Sequence, residues 1–199
     1  MLNILTISDN FPYILGLNAL FKILADKKNI ELFFLLKSEP NNKGIANVII
    51  RDSIVSISVF KNKEPVPLPK NINEVNKITL HIPFMWKQDN LTVIMSKIEK
   101  ILLIANTDYQ SLIKKSIYKN LGLKDYLQLS VMERQVMFLI GKGYDNQYIS
   151  NLLDRSEKTI SVHCRNATRK MGMTNRVEFY RYASFIANCA NKEGNTLCL

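Results

Sequence analysis

The chain has 199 residues, 47% of them hydrophobic, with 27 Lys+Arg against 17 Asp+Glu and a formal net charge of +10. That apolar mass can bury one core or two small ones, and it excludes a disordered tail or a collagen-like fibre. Three cysteines (Cys164, Cys189, Cys198) and two histidines lack metal-ligand spacing and argue against a disulfide scaffold, a zinc site or any cofactor, while the excess of positive charge points to a polyanionic partner.

In chain order, short β-rich runs alternate with helical ones through the first half. Leu2–Ile7 reads as a strand, and Ile14, Leu17, Leu20, Phe21 and Leu24 form a helical stripe. Ile30–Leu36 and Ala46–Ile50 read as further strands. The consecutive apolar Val48, Ile49 and Ile50 suit a central strand buried on both faces. Ile54–Phe60 alternates Val55, Ile57 and Val59 with serines, the pattern of a half-exposed strand, and Pro65, Pro67 and Pro69 end it in a turn. A strand over Ile78–Ile82 precedes a helical period, Leu91, Ile94, Met95, Ile98, Ile101 and Leu102, and a second one, Leu112, Ile113, Ile117 and Leu121. No strand signal follows Asn106. The expected organisation is an α/β domain over 1–104, a helical linker over 105–128, an all-α module over 129–190 and a flexible tail over 191–199.

In the module, Ser130 and Glu133 have capping-box spacing. The helix they start buries Val136, Leu139 and Ile140, and Gly141 with Gly143 stops it. A second helix runs from Asn146 to Leu153 with Ile149, Leu152 and Leu153 inward. Asp154-Arg155-Ser156 turns the chain, and Ser156 caps a third helix from Glu157 to Met171. Residues three or four apart share a helix face, which separates an inner stripe (Ile160, His163 or Cys164, Ala167, Met171) from an outer one (Lys158, Ser161, Val162, Arg165, Arg169). From Arg155 to Arg176 six basic residues face one acid, Glu157. Two short helices joined by a tight turn, the second basic outward, have the layout of a helix-turn-helix, and a positive solvated face is the plainer alternative.

Leu129-Ser-x-x-Glu133-Arg-Gln-Val136, Gly143-x-x-Asn146-x-x-Ile149, Thr159-Ile160-x-x-His163-x-x-Asn166-x-x-Arg169-Lys170-Met171-Gly172 and Asn175-Arg176-x-Glu178 resemble the LuxR/NarL-type helix-turn-helix family. The resemblance implies a four-helix DNA-binding domain whose third helix enters the major groove and whose last helix pairs two subunits. A helix fits that groove, where base edges present distinct donors and acceptors, so the outward Ser161, Val162 and Arg165 are the candidates for base contact. Asn146, Lys158, Thr159, Arg169, Lys170 and Arg176 are the candidates for phosphate contact. Ser161 stands where family members often carry lysine, and Met132 where they often carry arginine. His163 falls on the inner stripe as a buried imidazole, and Cys164 is read as a packing residue.

The first domain resembles a response-regulator receiver in Ile7-Ser-Asp9-Asn-Phe-Pro12-x-x-x-Gly16-Leu17-x-Ala19-Leu20, in Asn47-Val-Ile-Ile-Arg-Asp52 and in Phe84-Met-Trp-Lys87. Receiver chemistry places carboxylates and a lysine at the carboxyl ends of neighbouring strands. Asp9, Asp52 and Lys87 supply part of that set as a vestigial phosphorylation site. Ser8 replaces one acid, the interval from Asp52 to Lys87 is short, and Ile54–Phe60 reads as a strand where a receiver has a loop and helix. Asp52 also reads simply as a turn residue. The resemblance therefore implies a degenerate, shortened receiver serving as a dimerisation surface, for itself or for another LuxR-type regulator.

No stretch approaches the roughly 20 apolar residues that span a bilayer, and no charged-then-apolar leader opens the chain. The expectation is a cytoplasmic bacterial regulator of transcription, on the nucleoid when bound to double-stranded DNA, acting as a dimer and independently of phosphorylation. It is not an enzyme on this reading, and it has no membrane partner. The alternative is an auxiliary protein that pairs with or sequesters a complete response regulator.

Overall fold

Leu2–Ile7 lies inside the first sheet because both of its neighbours are apolar strands. The computed structural model describes residues 1–61, 77–85, 89–114, 116–189 and 195–199. It divides into two units, 1–122 and 123–199. In the first, β1 (Leu2–Ile7) pairs in parallel with β2 (Leu32–Leu35) on one side and β3 (Val48–Arg51) on the other. β4 (Ile54–Phe60) is antiparallel to β3, and β5 (Lys77–Pro83) is antiparallel to β4, giving the order β2-β1-β3-β4-β5. The result is a mixed sheet. Ile4, Val48, Ile57 and Leu80 form one row across four strands, and Thr6, Ile50, Val55 and Ile82 form a second on the same face.

α1 (Phe11–Lys27) connects β1 to β2. Asn10 caps it, accepting from the Tyr13 amide at 3.1 Å, and Pro12 suits the first turn, where an amide hydrogen has no helical acceptor. Leu17, Phe21, Leu24 and Ala25 are its buried residues. α2 is one turn (Asn42–Ile45). α3 (Leu91–Ala105) packs against α1 and β4 and buries Ile98, Ile101, Leu102, Ile104 and Ala105.

Val48–Ile50 is a central strand, with exposures of 0%, 7% and 0%. The expectation for Ile54–Phe60 needs correction: it is a strand, but Ser56 and Ser58 are each only 5% exposed. Alternating serines signal a wet face only when water must satisfy them. Here Ser56 Oγ and His81 Nδ1 lie 2.9 Å apart and Ser58 Oγ and Thr79 Oγ1 3.3 Å, so β5 does so instead. Pro65, Pro67 and Pro69 lie outside the described residues.

The expected linker helix is broken into α4 (Tyr109–Ile113), α5 (Ser116–Asn120) and a 3-10 turn at Asp125–Leu127. Gly122, at φ +66°, turns the chain in a conformation that costs glycine little.

The second unit contains α6 (Val131–Gly141), α7 (Asn146–Leu152), α8 (Glu157–Lys170) and α9 (Arg176–Asn188). α6 packs on α8 and α9, and α7 on α8. Gly141 does not stop α6 by its freedom. It is the last helical residue, and a Cβ there would overlap the carbonyl of Ala183 and stand 2.9 Å from Cβ of Ala187. Gly143, at φ +92°, makes the turn.

The expected flexible tail differs from what its last residues do. Leu197 and Cys198 are 4% and 5% exposed, and the Gln128 side chain grips the Cys198 backbone twice, accepting from its amide and donating to its carbonyl at 2.9 Å each. The hydroxyl of the buried Tyr182 reaches Thr196 Oγ1 at 3.2 Å. No helix among the described residues is long and apolar enough to cross a membrane.

Candidate nucleic-acid interface

Each helix of the second unit starts at a side chain that satisfies a free amide. Ser130 Oγ accepts from the Glu133 amide at 3.2 Å while Glu133 Oε2 accepts from the Ser130 amide at 2.7 Å, the reciprocal box expected from the sequence. Asp145 caps α7 through the Tyr148 amide (2.7 Å), Ser156 caps α8 through Thr159 (3.1 Å) and Asn175 caps α9 through Glu178 (2.9 Å). Between α7 and α8, Asp154 sits at φ +50°, a conformation that suits Asp and Asn better than β-branched residues. These caps fix where α8 begins, and so which of its residues face outward.

α8 separates as its spacing predicts except at Ser161, expected outward and half-buried, and at His163 and Cys164, expected inward. Ile160, Ala167 and Met171 are 0%, 1% and 4% exposed, while Lys158, Val162, Arg165 and Arg169 are exposed. His163 and Cys164 are half-buried between the two stripes. Burial pushes the Cys164 thiol up to about 11 against the opposing pull of Arg176, so it stays protonated and poorly nucleophilic. Thr159 is half-buried and shares a contact with its cap, Oγ1 lying 2.9 Å from Ser156 Oγ. Asn146 at the start of α7 donates to Ser161 Oγ at 3.3 Å, which joins two predicted site residues.

Asn146, Ser161, Arg165, Arg169 and Arg176 line one cleft of about 510 Å³ between α8 and the start of α9. Tyr180, 48% exposed, lines it as well. Sequence reasoning missed it, although it stands four residues from Arg176 and shares its helix face. Lys158 and Thr159 do not line the cleft.

Lys170 is corrected. Its Nζ donates to Glu133 Oε2 at 2.8 Å and to the Gln128 carbonyl at 2.9 Å, with the lysine and glutamate side chains 18% and 5% exposed. The ammonium is spent inside the unit, tying α8 to α6. Leu152 also departs from expectation. It is 55% exposed at the end of α7, whose inward residues are Ile149 and Ser150.

In the first unit, Asp52 is the turn residue of the β3–β4 hairpin, at φ +38°. Its Oδ1 accepts from Ser8 Oγ at 3.1 Å and its carbonyl from the Tyr13 hydroxyl at 3.1 Å. Asp9 pairs instead with Lys37 at 2.7 Å, and that contact holds its carboxyl below the ordinary range. β1 and β3 are parallel neighbours, so both carboxylates do sit at one end of the sheet. Lys87 lies outside the described residues. Among the described residues no group of three or more His, Cys, Asp or Glu could hold a metal ion.

Residues 127–183 match the family model "Bacterial regulatory proteins, luxR family". The nitrate/nitrite response regulator protein NarL of Escherichia coli K12 is 38% identical over 55 residues, 28% of this chain and 26% of NarL. The uncharacterized protein YjjQ of E. coli O157:H7 is 37% identical over 54 residues, 27% of this chain and 22% of that protein. The aligned part thus spans about a quarter of the length of these curated relatives. Among solved structures, the RcsB response regulator of Salmonella typhimurium aligns over 92% of this chain and all of its own at 17% identity, with a TM-score of 0.31. RcsB from Salmonella enterica serovar Typhimurium bound to the promoter rprA aligns over 92% and 98% at 18% identity, with a TM-score of 0.34. With its caps, its turn and its basic third helix in place, residues 127–183 form a helix-turn-helix domain of the luxR family of bacterial regulatory proteins.

Proposed function

We propose that this chain is a sequence-specific DNA-binding regulator of transcription that acts as a dimer and independently of phosphorylation. The observation that carries the reading is α8, apolar and buried along Ile160, Ala167 and Met171 and exposed along Lys158, Val162, Arg165 and Arg169. An exposed helix with that charge fits the major groove and meets phosphates on both sides. Ser161, Val162 and Arg165 read bases: the guanidinium of Arg165 donates two hydrogen bonds to a guanine, and Val162 touches a thymine methyl. Asn146, Lys158, Thr159, Arg169 and Arg176 set register on the backbone. Phosphorylation independence is supported by the hairpin at Asp52, whose carboxylate is engaged by Ser8, and by Asp9 turning to Lys37.

The test is selection of bound sequences from random duplex DNA by the full-length protein, at low and physiological salt, repeated with Asp52→Ala. The expected result is a two-fold motif with half-sites about one helical turn apart, unchanged by the substitution. Loss of the motif in Asp52→Ala overturns phosphorylation independence. Recovery of no motif by either protein overturns sequence-specific binding and favours a role in pairing with or sequestering another regulator.

A further inference from the structure

α8 and the start of α9 form a concavity that a simple basic face would not need. At about 510 Å³ the cleft falls in the size range of small-molecule sites. Its wall carries the side chains of Arg165, Arg169 and Arg176, and no carboxylate lines it. Among the described residues none of the three arginines makes an ion pair. Arg176 stands close enough to the Cys164 thiol, itself on the wall, to oppose the rise of its pKa, so that charge lies beside the cleft. Ser161 Oγ accepts from Asn146 at 3.3 Å, which leaves its own hydrogen for a ligand. Ile140, Met173 and Phe179 give the cleft an apolar, buried floor, and the ring of Tyr180, 48% exposed, stands at the rim.

DNA alone does not account for that lining. Arginines that follow a phosphate backbone work on an open surface, and a duplex keeps its bases stacked inside a stiff rod, with no free ring to lay against the floor. Three guanidinium forks on one wall, an apolar floor and an exposed aromatic ring match a ligand that joins several negative charges to a flat ring.

We propose that this cleft binds a nucleoside polyphosphate, and that nucleotide and DNA exclude each other. The guanidiniums grip the phosphate oxygens, two hydrogen bonds at a time, and the base stacks on Tyr180, a contact that tolerates any base because each has a π-face. Arg165 and Arg169 cannot hold nucleotide phosphates and a duplex together. By reciprocity DNA weakens the nucleotide as much as the nucleotide weakens DNA. The exclusion rests on the DNA-binding reading. The nucleotide site itself does not.

Calorimetry on the full-length protein without DNA, magnesium-free and at physiological salt, tests the site directly with ATP, GTP, inorganic triphosphate and adenosine. Expected is saturable binding of ATP or GTP, at least tenfold tighter than inorganic triphosphate or adenosine, with amide shifts in nuclear magnetic resonance centred on residues 161–180. Tyr180→Ala should weaken the nucleotide at least tenfold, and Tyr180→Phe, which keeps the ring, should restore it. Arg176→Gln should weaken it at least tenfold with circular dichroism as in the wild type. On DNA, ATP should lower duplex affinity at least tenfold more than inorganic triphosphate at equal concentration, which separates the site from ionic screening. No saturable binding, triphosphate as tight as ATP, indifference to Tyr180→Ala or shifts centred elsewhere overturns the inference. Nucleotide binding that leaves DNA affinity unchanged overturns the exclusion. Nucleotide binding by a protein that binds no DNA refutes the functional reading and leaves the site standing, and DNA binding without nucleotide binding does the reverse.

Discussion

Replacing Lys170 with alanine should destabilise the second unit and leave the salt dependence of DNA binding unchanged. Its ammonium lies 2.8 Å from Glu133, whose side chain is 5% exposed, so Lys170→Ala strands a carboxylate where little water reaches. Breaking a buried ion pair costs about 3–5 kcal/mol. The Ser130 amide stays on the same oxygen at 2.7 Å and the lysine end is 18% exposed, which lowers the expected cost to about 2–3 kcal/mol. Burial raises the Glu133 carboxyl pKa, but the Lys170 contact and the Ser130 amide outweigh it and hold the group below its ordinary value. A carboxyl lowered on folding contributes stability in full above the unfolded value, about 4.3, and loses it as the pH falls through the folded value. The difference between wild type and variant is therefore largest at neutral pH and shrinks below about pH 4. Hydrogen exchange of amides in 131–141 and 157–170, with urea denaturation at pH 7 and pH 4, reads the effect. A variant with wild-type exchange and a salt slope reduced by about one would show that Lys170 contacts phosphate and that the ion pair adds nothing.

Arg165→Ala should relax preference at one base pair and cost about 1–3 kcal/mol of discrimination, whereas Arg169→Ala should weaken all sequences alike and reduce the salt slope by about one. Titrations of matched and scrambled duplexes at several salt concentrations separate the two, and an unchanged preference removes Arg165 from the reading set. Gly141→Ala forces a methyl into the Ala183 carbonyl, so α9 must shift from α6. The expected loss is about 2–3 kcal/mol despite alanine's better helix propensity, and an unchanged thermal midpoint would show that the helices separate freely. Burial, aided by Arg51, pushes His81 down to about 4 from 6.5. The unfolded chain then takes up its proton first, so stability falls by about 3 kcal/mol as the pH drops from 6.5 to 4. Urea denaturation followed by the fluorescence of the single tryptophan, Trp86, should show that slope, and His81→Gln should flatten it.

Local chemistry was the legible part. Ser130 with Glu133, Ser156 before α8 and the three-and-four spacing of Ile160, Ala167 and Met171 each depend on residues close in the chain, and each appears as read. The hairpin after β3 is legible too, because Ile54–Phe60 has strand alternation. What failed depends on distant partners. The serines of β4 are dry because His81 and Thr79 stand beside them, and Lys170 is internal because Glu133, 37 residues earlier, meets it. Its place beside Met171 and three residues from Ala167, on the border of the buried stripe, is the only trace of that in the sequence. Gly141 shows the same limit. A glycine near a helix end suggests a stop, and only the approach of α9 reveals that it makes room.

The grip of Gln128 on Cys198 has a consequence for how the second unit is built into a chain. Its entry and its exit are joined at one point, so the polypeptide leaves where it arrives. Such a unit can be inserted into the loop of another protein without prying its ends apart, and its termini can be linked and reopened elsewhere in circular permutation. Conversely, a chain cut after Cys189 loses Leu197 and Cys198 from a buried position and leaves the Gln128 amide without its two backbone partners. The unit that folds is therefore longer than the stretch that matches its family.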